Sequence, residues 1–115
     1  MSEVKLATLV SRLHRQTMAK KVPWRRGRRD DVFVAEFSSY TLRMSRHILS
    51  RTVEDYVLEV CGADGGVVER INDERFSRPQ PANEIYRQLK ETYDLARRLV
   101  MGSEGAIDSI LEELG

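Results

Sequence analysis

The sequence predicts an α+β domain: an N-terminal helix, an antiparallel meander of about four strands, and one or two C-terminal helices packed on one sheet face. Three observations predict it. Apolar residues recur at helical spacing at both ends of the chain. Between them, residues 32–71 alternate apolar and polar with period two, broken by short turns. The chain has 115 residues, 41% apolar and 32% charged, enough for one core and not for two, so residues 1–115 are read as a single domain.

The first element runs over residues 3–21. Leu6, Leu9, Val10, Leu13 and Met18 fall on one side of a helix. Ser2 suits the N-cap, and Glu3 suits the positive end of the helix dipole. Lys20 and Lys21 fall in the last turn, and Pro23 stops the helix. Next, Val32–Phe37 sets Phe33, Ala35 and Phe37 on one face. Ser38-Ser39 is short enough for a hairpin turn. A second strand carries Tyr40, Leu42 and Met44, and a third carries Tyr56, Leu58 and Val60. Residues 62–66, GADGG, form a turn in which glycine supplies a positive φ. A fourth strand follows from Val67 to about Ile71. Short connections between neighbours imply antiparallel pairing, with one sheet face covered by helices and the other partly open.

Phe76–Asn83 reads as a loop, because two prolines bias their neighbours to extended geometry. Asn83 is placed to cap a helix whose stripe is Ile85, Leu89, Tyr93, Ala96, Leu99 and Val100. Gly102 and Gly105 interrupt that helix. Ser103 then caps a short last helix with Ile107, Ile110, Leu111 and Leu114 on one strip and Asp108, Glu112 and Glu113 away from it. Folding back on the chain's own core is the ordinary fate of such a helix. Docking on another chain is the alternative.

The chemistry read from the sequence is mostly exclusion. There is no Gly-x-Ser-x-Gly elbow, and Cys61 is the single cysteine, read as a small packed thiol at a strand end. His14 and His47 lack a partner ligand at helical spacing. GADGG lacks the Lys-Ser/Thr ending of a phosphate loop and joins two strands instead of entering a helix. Paired carboxylates such as Glu54-Asp55 lie in loops or at a helix end. The expectation is a non-enzymatic protein with no cofactor, no metal and no small-molecule substrate. With no secretory leader and no spanning segment, it is expected in the cytoplasm and away from membranes.

Charge patterning carries more. The net charge of +1 hides a split. Residues 1–29 hold nine basic residues and one acidic, a balance of +8, whereas residues 30–115 hold ten basic and seventeen acidic, a balance of −7. KKVPWRRGRRDD, residues 20–31, concentrates the positive charge around the lone tryptophan. One reading makes Lys20, Lys21, Trp24, Arg25, Arg26, Arg28 and Arg29 a protein contact, since arginine and tryptophan are common interface anchors. The partner strip would be Ile107, Ile110, Leu111 and Leu114, and the partner another protein or a second copy of the chain. A competing reading adds Arg12 and Arg15 and makes the segment a nucleic-acid contact. A third has Trp24 covering a core edge, with the arginines solvated or paired to Asp30, Asp31 or the acidic last helix.

The order of an opening helix, Trp24, a meander with the GADGG hairpin, Tyr93 with Ala96 and Arg97, and the Ile107–Leu114 ending resembles small uncharacterised bacterial helix–sheet–helix domains. That resemblance implies a stand-alone or effector-associated interaction module and brings no catalytic residue.

Overall fold

The structure, a computed structural model, describes residues 3–115. In chain order the elements are α1 (Glu3–Met18), β1 (Arg25–Arg26), β2 (Val32–Glu36), β3 (Thr41–Ile48), β4 (Glu54–Cys61), β5 (Val67–Ile71), α2 (Ala82–Met101) and α3 (Ser103–Leu114), with a 3-10 turn at Asp73–Arg75. The strands form one antiparallel sheet in the order β1-β2-β3-β4-β5. The expected α+β architecture is present. It differs at the basic segment, where Arg25 and Arg26 pair with Val34 and Phe33 and add a fifth, edge strand. A two-residue strand with no apolar alternation leaves no period-two signal to read.

Register places the core. Phe33, Met44, Leu58 and Ile71 stand side by side on one face. Against them pack Leu6, Val10 and Leu13 of α1, and Ile85, Leu89, Tyr93 and Ala96 of α2. Tyr93 is the hub. Its ring edges against Phe33 at 5.4 Å and Tyr56 at 5.6 Å, and its hydroxyl donates to the Asp31 carbonyl at 2.9 Å. Aromatic edge contacts of this kind add to plain burial. The two helices are also tied by a side-chain hydrogen bond: His14 Nε2 of α1 lies 2.9 Å from Glu91 Oε1 of α2, a carboxylate whose two oxygens also accept from Arg87 one turn earlier in α2 at 2.9 Å. At the start of α1, Glu3 Oε1 accepts from the Ser77 amide at 2.8 Å.

Several boundaries move. α1 ends at Met18, and Lys20 sits at φ 59° just beyond it. α2 starts at Ala82, so Asn83 lies inside its first turn, and Gln80 Oε1 accepts from the Glu84 amide at 3.3 Å instead. Gly102 ends α2 in the left-handed region at φ 74°, which glycine adopts without a Cβ penalty. Gly105 does not break the chain; it lies within α3. Ser103 is the first residue of α3 and makes no capping bond; its hydroxyl donates back to Arg98 O at 3.4 Å. The N-cap expected at Ser2 lies outside the described residues.

α3 does not fold back. It continues beyond Gly102 away from the body, giving an elongated particle of 50 × 34 × 27 Å. Ile107, Ile110, Leu111 and Leu114 are between 54% and 77% exposed.

Candidate functional site: an arginine-lined sheet face and an uncovered helix

The sheet face opposite the core carries its own pattern. Because side chains alternate, one row across five strands reads Arg25, Val34, Arg43, Glu59, Arg70. The next row reads Val32, Ser45, Val57, and beyond it His47 faces Asp55. Val32, Val34, Ser45 and Val57 are buried even here. Arginine stems beside them account for that, since the aliphatic part of arginine covers apolar surface while its head stays wet. The result is a cleft of about 780 Å³ whose basic lining is Arg25, Arg26, Arg28, Arg29, Arg43 and Arg70.

The 27–31 turn forms one wall, and glycine makes it fit. A Cβ at Gly27 would lie 2.8 Å from Val32 Cγ1 and 3.0 Å from Val32 O, closer than side chains tolerate. The Gly27 amide donates to Val32 O at 2.8 Å, and the Val32 amide donates to Arg29 O at 3.1 Å. Tyr93, reaching from α2 to Asp31 O, anchors the same turn from below.

Some of the charge is answered. Arg25 pairs with Glu36, Arg43 donates to Glu59 at 2.9 Å, and Arg70 lies 4.0 Å from Glu59. No carboxylate among the described residues pairs with Arg26, Arg28 or Arg29. Arg25, Arg28, Arg29, Arg43 and Arg70 against Glu36, Glu59 and Asp55 leave this face net positive, while Arg26, level with Phe33 in the register, belongs to the core-side row.

The predicted site residues therefore separate. Arg25, Arg26, Arg28 and Arg29 come together around the cleft. Trp24 turns the other way: it packs against the core, and its Nε1–H donates to the buried Thr17 hydroxyl at 3.0 Å. Lys20 borders a shallow depression by Met18, Glu91 and Arg98, and Lys21 is exposed in the link to β1. Arg12 and Arg15 line a groove on the outer side of α1 with Val4, Ala7 and Pro81. Arg43 and Arg70, which complete the arginine row, lie in the acidic part of the sequence. Only the strand register could have found them.

Elsewhere, titratable groups shift in directions that suit packing. Burial, then the hydrogen bond to Glu54, pushes Tyr56 up to about 12. The hydrogen bond to Asp94 raises Lys90. Burial raises Tyr86 and Tyr93. The Arg87 guanidinium lowers Glu84 and Glu91, and Arg75 lowers Glu69. A tyrosine and a lysine held in their protonated forms are poor bases near neutral pH.

No helix among the described residues is long and apolar enough to cross a membrane. No family model, curated protein or solved structure matches the chain.

Proposed function

We propose that the protein is a non-enzymatic interaction module that self-associates through α3. The observation that carries this reading is the uncovered strip Ile107, Ile110, Leu111, Leu114 on a helix that leaves the body. Spacing of i, i+3, i+4, i+7 is that of a helix face made to lie in a groove. Charge selects the groove. α3 carries Asp108, Glu112 and Glu113 and no basic residue, so two copies of α3 laid together would repel. The outer groove of α1 is net basic: apolar Val4, Ala7 and Pro81 lie beside Arg12 and Arg15, with Glu3, which accepts from the Ser77 amide, the carboxylate in its lining. The occupant is α3 of a second copy, and the exchange is reciprocal, as two-fold association requires. The lone buried thiol of Cys61 supports the cytoplasm as its compartment.

Sedimentation velocity between about 1 and 100 µM tests it, the range in which modest interfaces assemble. The expected result is a concentration-dependent dimer that Ile110→Ser with Leu111→Ser converts to monomer. Far-UV circular dichroism should stay unchanged, because neither residue belongs to the core. Arg12→Glu with Arg15→Glu should weaken the dimer. A wild-type monomer throughout would refute the reading.

A further inference from the structure

We propose that the open sheet face binds single-stranded nucleic acid. The proposal does not rest on self-association; it uses a different face and different residues. The cleft lined by the arginine row continues into a second one of about 460 Å³ at the β2–β3 hairpin, the two sharing Arg25, Arg28, Val34 and Arg43. Together they form a groove along β3 from Thr41 to His47, about 20 Å at the usual strand rise. That accommodates a few nucleotides.

Chemistry then narrows the ligand. Arginine forks match phosphate oxygens in a way that ammonium groups do not. No carboxylate among the described residues pairs with Arg28 or Arg29, so neither has one to give up on binding. At the hairpin end stand Phe37 and Tyr40, 52% and 53% exposed. Both line the groove. Phosphate-tracking arginines with an exposed aromatic platform are the two parts of a sequence-tolerant single-strand site. A duplex would need a helix or ribbon projecting from this face to enter a groove, and the face is recessed instead. A small nucleotide would need a cradle of free amides, but Gly27, Gly62, Gly65 and Gly66 amides are spent within their own turns. An apolar helix would find its aliphatic anchors already buried, as Val32, Val34 and Val57 are.

Fluorescence anisotropy with a labelled 12-nucleotide oligo(dT), titrated with the full chain, tests the site. Binding should weaken about 50- to 130-fold between 50 and 200 mM NaCl, the slope for release from four or five phosphates of a single strand. Arg28→Glu with Arg29→Glu should lower affinity at least tenfold with the fold retained, since both side chains are exposed and unpaired. Phe37→Ala with Tyr40→Ala should lower affinity for oligo(dT) about tenfold and leave affinity for inorganic polyphosphate unchanged, because stacking needs a base. Absence of binding at 50 mM NaCl up to about 100 µM protein would overturn the proposal. So would a 12-base-pair duplex that binds as tightly as the single strand. Equal loss of oligo(dT) and polyphosphate binding in the aromatic variant would overturn it as well.

Discussion

Tyr93→Phe separates what the aromatic hub does for the core from what it does for the arginine turn. The ring is fully buried, and phenylalanine keeps its edge contacts with Phe33 and Tyr56. What is lost is the bond from the hydroxyl to Asp31 O, 2.9 Å long, together with the hydroxyl's weaker interaction with Arg97. A neutral hydrogen bond of this kind contributes about 1–1.5 kcal/mol net, and the abandoned carbonyl lies in a turn that water can reach, so the upper end of the penalty does not apply. With about 2.1 cal/mol/K of unfolding entropy per residue, a loss of that size lowers Tm by about 4–6 °C. Urea unfolding followed by Trp24 emission measures the global cost. Amide exchange at Gly27 and Val32, whose N–H groups bond Val32 O and Arg29 O, measures the local one. Both amides should exchange up to about tenfold faster, one factor of ten for each 1.4 kcal/mol of opening free energy. Tyr93→Ala should cost about 3–5 kcal/mol, because the ring contacts go as well. If Tyr93→Phe unfolds within about 0.3 kcal/mol of wild type and leaves both amides protected, the hydroxyl does not hold the turn, and the anchoring argument fails.

Other perturbations follow from the same contacts. Gly27→Ala drives a Cβ to 2.8 Å from Val32 Cγ1; the turn must shift, with an expected loss of about 1–3 kcal/mol by urea titration and weaker oligo(dT) binding. Leu89→Ala in the centre of the core should cost about 2–5 kcal/mol, seen as a lower urea midpoint with an unchanged slope. Burial and Glu54 raise Tyr56 from 10.0 to about 12, so its contribution is fully present below pH 10 and is lost as pH rises through 12. That contribution is at most about 2.7 kcal/mol, at 1.36 kcal/mol per unit. Lys90, also raised, adds a loss in the same direction. The alkaline decline in stability should flatten in Tyr56→Phe, and an unchanged decline would show that other groups carry it.

The sheet and the helices were legible because burial imposes periods on the sequence. Phe33, Leu42, Met44, Leu58 and Ile85 each fall where a period of two or 3.6 puts them, and each is buried. The arginine cleft was only half legible. A run such as RRGRR announces itself, but its partners Arg43 and Arg70 are single residues at polar positions of strands, indistinguishable from any solvated face until pairing sets them beside Arg25. Trp24 misleads for a related reason. Its place in a basic run suggests a stacking surface, yet two-residue pairing at Arg25–Arg26 fixes which way it points, and that way is inward, to Thr17. The fate of α3 was open because an amphipathic strip is the same signal for a core and for an interface.

The charge split takes a different meaning once folded. A balance of +8 followed by −7 suggests two ends drawn together within one molecule, and the chain does not join them that way. The basic half is divided between two surfaces on opposite layers: Arg12 and Arg15 on the outer side of α1, and Arg25 to Arg29 on the far face of the sheet. The acidic half lends Arg43 and Arg70 to the second surface and places Asp108, Glu112 and Glu113 on α3. Each surface therefore has an unmatched charge and its own anchor, aliphatic on α1 and aromatic at the β2–β3 hairpin. Steering by charge acts over about 8–10 Å in physiological salt, less than the helix and sheet layers together span, so each surface would attract the ligand proposed for it separately. A helix docked on α1 would leave the sheet face open, so the proposed self-association and the proposed strand binding would be compatible, a dimer then presenting two grooves to one polyanion.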